Sequence, residues 1–158
     1  GKLAEGPFKG EPINTPSMLC VEDYLDTLAW ARSVGGLQGL IARVNGNANV
    51  LAEWVAATPW IDYVAVDEAN RSTTSVCLSI VDHWFTDLPP GDGNAVAKQL
   101  EALLADQGAA YDIGGHRDAP TGLRIWCGAT VEQSDLKALL PWLDWAYGEV
   151  KEKFVSAA

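Results

Sequence analysis

The sequence predicts an α+β protein with two layers, a short antiparallel or mixed sheet that carries its helices on one face. Segments with apolar residues at helical spacing alternate with pairs of short segments rich in β-branched residues. The predicted order is two helices, two strands, a helix, two strands and a final helix. The chain has 158 residues, of which 48% are hydrophobic and 20% charged, which is typical of one folded domain.

The N-terminal part of the chain predicts an arm followed by a helix. Residues 1–13 contain Gly, Pro and Lys without a sustained period, so we expect an extended arm or linker there. Asn14-Thr15-Pro16-Ser17 predicts a helix start, because Asn or Thr caps free backbone amides and proline is tolerated in the first turn. Gly35-Gly36 ends this first helix.

A second helix is predicted from Leu37 to about Ala57, although the Asn45-Gly46-Asn47 run inside it has low helix propensity. Thr58-Pro59 ends it, because the residue before a proline disfavours helical geometry. We therefore expect a helical segment over residues 14–58 and an α+β domain over residues 59–158.

The remaining elements follow from short β-branched runs and from apolar periodicity. The last helix is expected to open with a capping box at Thr130-Val131-Glu132-Gln133. The predicted strands are 61–66, 74–81, 109–113 and 123–127, and a third helix is predicted over 94–107.

The charge of the chain excludes several classes of partner. The formal net charge is −10, so a nucleic acid or an anionic membrane surface would be repelled. The longest apolar runs are too short to cross a bilayer, and no targeting segment is visible, so we expect a cytoplasmic protein.

Cys20, Cys77 and Cys127 lack metal-ligand spacing and are expected to be buried free thiols. The only histidines are His83 and His116, so no metal site is predicted.

The clearest candidate site combines His116 and Arg117 with Arg124. An arginine offers a planar fork that binds phosphate or carboxylate through two hydrogen bonds, and two such groups suit a substrate with two anionic groups. The alternative is that these side chains form surface salt bridges with Asp112, Asp118 or other nearby acids.

Asn14 and Thr15 likewise have two interpretations. They cap the first helix, or they hold a phosphate at its start, and the two roles are compatible. No complete catalytic set is visible in the sequence.

Three segments of the chain resemble the phosphoserine aminotransferase family of bacteria: Phe8–Asp23, Arg71–Leu78, and Gly115-His116-Arg117 with Leu123-Arg124-Ile125-Trp126. The resemblance follows the order of the family and spans nearly the whole chain. It implies the small C-terminal domain of a fold-type I enzyme, a homodimer that uses pyridoxal 5′-phosphate. Such enzymes exchange an amino group between glutamate and 3-phosphohydroxypyruvate, in serine synthesis and, in many bacteria, vitamin B6 synthesis.

The resemblance also implies roles for particular residues. Asn14 and Thr15 would reach across the dimer to the cofactor phosphate. His116 and Arg117 would hold the substrate phosphate, and Arg124 would pair with the substrate carboxylate. Residues 14–58 would join the large and small domains of the enzyme.

The resemblance places the lysine that anchors the family's cofactor upstream of this segment. None of the lysines present lies in that motif, so we expect no catalytic residue in this chain and no turnover by the chain alone. We therefore expect a C-terminal fragment of a larger enzyme. Two alternatives stay open: another fold-type I aminotransferase with a different substrate, and a non-enzymatic α+β module that binds anions.

Overall fold

The computed structural model of the protein describes residues 3–12, 14–89, 91–115 and 119–156. The chain divides into two compact units, residues 1–40 and 41–158. In chain order the elements are α1 (Met18–Ser33), α2 (Gly36–Ala57), β1 (Ile61–Tyr63), β2 (Ser75–Ile80), α3 (His83–Thr86), α4 (Asp92–Asp106), β3 (Leu123–Trp126) and α5 (Gln133–Ser156). Single 3₁₀ turns occupy Gly6–Lys9 and Glu68–Asn70.

The first unit contains α1 and the start of α2. The segment predicted as an extended arm contains the 3₁₀ turn at Gly6–Lys9, so it is not extended throughout. Ser17 caps α1, because its Oγ accepts a hydrogen bond from the Cys20 amide at 3.5 Å. The prediction that Asn14 or Thr15 caps this helix is therefore wrong. None of the residues of α1 is buried.

The second unit contains a three-stranded antiparallel sheet in the order β1-β2-β3. Burial alternates along β2, where Val76, Leu78 and Ile80 are buried. The intervening side chains lie on the other face, because successive residues of a strand point to opposite sides. In β3 the same alternation buries Leu123 and Ile125.

A single apolar cluster covers the buried face of the sheet. The second half of α2, α4 and α5 contribute most of its helical members. Because only one face of the strands is buried, the unit has two layers, which confirms the predicted α+β class. The fully buried side chains include Leu51, Val76, Leu78, Val96, Leu100, Leu104, Leu123, Leu143 and Val150.

The structure differs from the sequence predictions at three elements. The predicted strand at 109–113 does not form, and this part of the chain makes one bridge to β3, between Gly114 and Leu123. The short helix α3 was not predicted. The final helix begins at Gln133, so the capping box predicted at Thr130 is wrong. The carbonyl of Glu132 accepts the amides of its first turn instead.

Candidate functional site

Arg124 lies in β3 on the face of the sheet that the helices leave uncovered. Its Cα pairs with that of Cys77 in β2, and its neighbours Leu123 and Ile125 point into the core. Trp126, two residues further along the strand, therefore lies on the same face as Arg124. The cross-strand partners of these two residues, Cys77 and Ser75, have small side chains, so neither Arg124 nor Trp126 faces a bulky neighbour on β2.

A cavity of about 510 Å³ opens beside β3. It is lined mainly by β3, residues 109–113 and the first turns of α5, together with Ser75 and Val131. Arg124, Asp112 and Asp135 provide its charged groups, whereas Trp126 and Leu139 provide apolar surface. A positively charged fork beside apolar surface suits a small organic anion.

The cavity exists because the chain next to β3 turns away from it. The Arg124 amide donates to the Ile113 carbonyl at 2.7 Å, so the two segments are paired at this point. At Asp112 the backbone enters the left-handed region, with φ of 52°. Aspartate tolerates this conformation better than most residues, and the resulting turn prevents 109–112 from continuing as a strand. The gap left beside β3 is the cavity.

Among the described residues, Arg124 has one loose ionic contact. Its Nη2 lies 3.6 Å from Oδ2 of Asp112, beyond hydrogen-bonding distance, and the side chain of Asp112 is 90% exposed. An exposed ion pair of this kind contributes only about 0–1 kcal/mol. The salt bridge between Arg124 and Asp112, the alternative interpretation of this arginine, is thus present. Because the contact is long, the guanidinium can still bind a further carboxylate.

His116 and Arg117 lie outside the described residues. The ends of the loop that carries them are fixed, however, because the Gly115 amide donates to the Gly122 carbonyl at 3.2 Å. The Thr121 hydroxyl also donates to the side-chain oxygen of Asn94 at the start of α4. A second cavity of about 300 Å³ lies between this loop and α4, with Lys98 in its lining.

Asn14 and Thr15 belong to the first unit and are exposed. The Thr15 amide donates to Oδ1 of Asn14 at 2.8 Å. Ser17 caps α1, so Asn14 and Thr15 are not needed for that role. In the described part of the chain, the side-chain N–H groups of Asn14 and the hydroxyl hydrogen of Thr15 have no acceptor. These donors are of the kind that bind phosphate oxygens.

Trp126 was missed in the sequence analysis. It lines the same cavity as Arg124, and its side chain is 57% exposed although large aromatic residues usually seek burial. The predicted strand at 123–127 contains both Arg124 and Trp126. Because residues two apart in a strand share a face, that prediction already placed Trp126 beside Arg124.

The three cysteines differ in their exposure. Only Cys127 is buried, whereas Cys20 and Cys77 are exposed, so the prediction of three buried thiols is wrong for two of them. Burial raises the pKa of the Cys127 thiol to about 11.

Among the residues that the structure describes, no group of three His, Cys, Asp or Glu side chains could hold a metal ion. No described helix is long and apolar enough to cross a membrane.

The chain is similar to known proteins both in sequence and in fold. No family model matches the chain. The chain is 49% identical over 151 residues to a phosphoserine aminotransferase of Methanosarcina mazei and 50% identical over 151 residues to one of Methanosarcina barkeri. Each alignment covers 96% of this chain and 38% of the relative, so the chain spans less than half the length of the relatives it matches.

Solved structures show the same fold. A phosphoserine aminotransferase from Bacillus circulans matches with a TM-score of 0.73 at 17% identity, covering 91% of this chain and 36% of that one. One from Trichomonas vaginalis, whose structure has pyridoxal phosphate bound, matches with a TM-score of 0.71 at 16% identity, covering 88% and 36%. The chain thus has the fold of the C-terminal portion of these enzymes.

Proposed function

We propose that this chain, which is homologous to the phosphoserine aminotransferases, forms the C-terminal part of an enzyme that makes O-phospho-L-serine and 2-oxoglutarate from 3-phosphohydroxypyruvate and L-glutamate. The observation that carries the proposal is the sequence identity of 49–50% along 96% of the chain. Because the chain spans 38% of those relatives, the proposed activity belongs to a longer polypeptide and not to these 158 residues alone.

Arg124 is proposed to bind the carboxylate of the substrate. It stands at the cavity beside β3, and its guanidinium is permanently charged and can offer two parallel N–H donors to a carboxylate. Its one ionic partner among the described residues, Asp112, is loosely held and largely exposed to water, so a substrate carboxylate can take its place at low cost.

His116 and Arg117 are proposed to hold the phosphate of the substrate, as the resemblance implies. The support is their position in a loop whose ends are anchored at Gly115 and Gly122. Arg124 lies in β3, the strand that directly follows this loop. The proposed phosphate-binding pair and the proposed carboxylate-binding arginine are therefore close together along the chain. A molecule with a phosphate at one end and a carboxylate at the other suits such a pair.

Pyridoxal 5′-phosphate is the proposed cofactor of the full-length enzyme. Asn14 and Thr15 would hold its phosphate, and their side-chain donors, which have no partner in the described part of the chain, fit that role. The cofactor supplies the aldehyde that takes up and releases the amino group. We propose that the lysine that anchors the cofactor lies elsewhere in the full-length enzyme.

The wider context of the enzyme is also a proposal. We propose a homodimer in the cytoplasm, acting in serine synthesis and in vitamin B6 synthesis, without nucleic-acid or membrane partners. The net charge of −10 supports the absence of polyanionic partners. Residues 14–58 are proposed to connect the large domain with the small domain, residues 59–158.

The test is transamination by the full-length protein that contains this chain. With pyridoxal phosphate, the protein should form glutamate from O-phospho-L-serine and 2-oxoglutarate, and it should use alanine or aspartate poorly as amino donors. Arg124→Gln should lower kcat/KM by about 100-fold, because loss of a hydrogen bond to a charged group costs about 1.5–3 kcal/mol. Lys153→Gln, which removes one positive charge from an exposed position near the end of α5, should change it by less than about 2-fold.

The two alternatives give different results. Preference for alanine or aspartate over phosphoserine would identify another aminotransferase. The isolated chain should neither transaminate nor give a stable absorbance band with pyridoxal phosphate, since a covalent cofactor bond needs the anchoring lysine, which we propose lies elsewhere in the enzyme. Tight binding of phosphorylated ligands by a stable monomer of the isolated chain would instead support an anion-binding module.

A further inference from the structure

We propose that Trp126 determines substrate specificity at the carboxylate site: its indole packs against the carbon skeleton of the molecule whose carboxylate Arg124 binds. This inference rests on the proposed function, because it needs a small anionic substrate at Arg124. Trp126 contacts the substrate and not the cofactor.

The first support is the placement of the two side chains. Trp126 and Arg124 share one face of β3 and line the same cavity. Residues two apart on a strand are separated by about 6.6 Å. A three-carbon acid whose carboxylate lies on the Arg124 guanidinium therefore extends its carbon atoms within reach of a side chain as large as that of Trp126.

The second support is the exposure of the indole. Its cross-strand partner Ser75 is too small to cover it, and Trp126 is 57% exposed. Its edge lies over Gly128, where a Cβ would come within 2.4 Å of the indole Cζ2. The Trp126 ring therefore occupies space that is available because Gly128 has no side chain. Because the ring is the exposed end of a side chain, Gly128→Ala should move the ring without unfolding the strand.

The experiment uses the full-length protein with pyridoxal phosphate and four variants. Trp126→Ala removes the ring, Trp126→Phe keeps a smaller ring, and Gly128→Ala displaces it. Trp142→Ala is the matched control, because Trp142 is an exposed tryptophan on α5 that contributes nothing to the lining of this cavity. KM and kcat are measured for O-phospho-L-serine and for L-glutamate.

We expect Trp126→Ala to raise KM about 10-fold, because the loss of an aromatic contact costs up to about 1.5 kcal/mol. Trp126→Phe should raise KM about 2-fold and Gly128→Ala about 3-fold, since part of the contact remains in each. Trp142→Ala should leave KM unchanged, and kcat should change less than KM in every variant. Binding of 3-phosphoglycerate, which has the carboxylate and phosphate but no transferable amino group, should quench tryptophan fluorescence in the wild type and less in Trp126→Phe.

Two results would overturn the inference while the proposed function stands. One is unchanged KM in Trp126→Ala and Gly128→Ala in an active enzyme, together with an unchanged fluorescence response in Trp126→Phe. The other is a lower melting temperature with unchanged KM, which would make Trp126 a packing residue against another part of the enzyme. If Trp126→Ala fails to fold, Trp126→Phe and Gly128→Ala decide the question. A wild-type protein that does not transaminate phosphoserine would refute the proposed function itself.

Discussion

The side-chain amide of Asn47, inside α2, donates to the main-chain carbonyl of Cys127 at 3.2 Å, across 80 positions of sequence. The same nitrogen lies 3.1 Å from the Gly128 carbonyl and 2.9 Å from the Val131 carbonyl. Asn47 is 1% exposed. A residue that lowers the helix propensity of α2 therefore satisfies the buried carbonyls of the turn between β3 and α5, which explains its place in the middle of the helix.

Asn47→Ala should lower the free energy of unfolding by about 2–3 kcal/mol, because it leaves buried carbonyl groups without a donor. Urea unfolding of the chain followed by circular dichroism measures this. Asn45→Ala is the control, since Asn45 lies in the same helix but is exposed, and its free energy should change by less than about 0.5 kcal/mol. Equal effects of the two substitutions would show that the hydrogen bonds of the Asn47 amide contribute nothing.

Gly122 and Gly148 should respond to alanine in opposite directions. A Cβ at Gly122 would lie 2.0 Å from the Leu78 carbonyl oxygen, so Gly122→Ala must push β2 away from the loop. We expect it to lower the free energy of unfolding by about 3 kcal/mol. A Cβ at Gly148 meets no atom within 4 Å in α5, so Gly148→Ala should raise it by about 1 kcal/mol through helix propensity.

Thermal unfolding of both glycine variants provides the comparison. A stable Gly122→Ala protein would contradict the close approach of the two backbones. Because Gly122 ends the anchored part of the loop with His116 and Arg117, its substitution in the full-length enzyme should also raise KM for phosphoserine.

Asp82 should make stability depend on pH in the acid range. Lys151 donates to its carboxylate at 2.5 Å and the Tyr147 hydroxyl donates as well. These bonds, that from Lys151 first, lower the pKa of Asp82 below its ordinary value of 3.8. A carboxyl with a lower pKa in the folded state stabilises the fold above its unfolded pKa, and this stabilisation is lost as the pH falls through the folded pKa.

We therefore expect Asp82→Asn to lower stability at pH 7 and the difference from the wild type to shrink as the pH falls from about 5 to about 2. Urea unfolding at several pH values measures it. Lys151→Gln, alone and combined with Asp82→Asn, gives the coupling between the pair, which should likewise fade in acid. A difference that stays constant over this range would show that the pairing does not lower the pKa of Asp82.

The three thiols should react in two classes. Cys20 and Cys77 are exposed, whereas Cys127 is buried and its pKa is raised to about 11. Because the thiolate is the reactive form, a disulfide reagent at about pH 8 should label two thiols rapidly in the folded chain and the third only in denaturant. Cys77→Ser should reduce the rapid class to one. Rapid labelling of Cys127 in the folded chain would indicate that the turn next to Asn47 opens readily.

Residue patterns predicted most of the helices and all three strands because their signals are local. Apolar spacing identifies α2 and α4, and Thr58-Pro59 marks the end of α2, which stops at Ala57. The strand predicted at 109–113 was wrong because its residues have strand-like composition, whereas the left-handed backbone at Asp112 turns them away from β3. Composition alone does not report such a turn.

The sequence by itself determined the family resemblance and the identity of Arg124, since both depend on short motifs that are read along the chain. Only the tertiary structure decided which side chains share a site. Strand register places Trp126 beside Arg124, and the turn at Asp112 opens the cavity between them and α5. Ser17, and not Asn14 or Thr15, caps α1. The physical reason is that hydrogen bonds and cavities depend on distances between residues far apart in sequence.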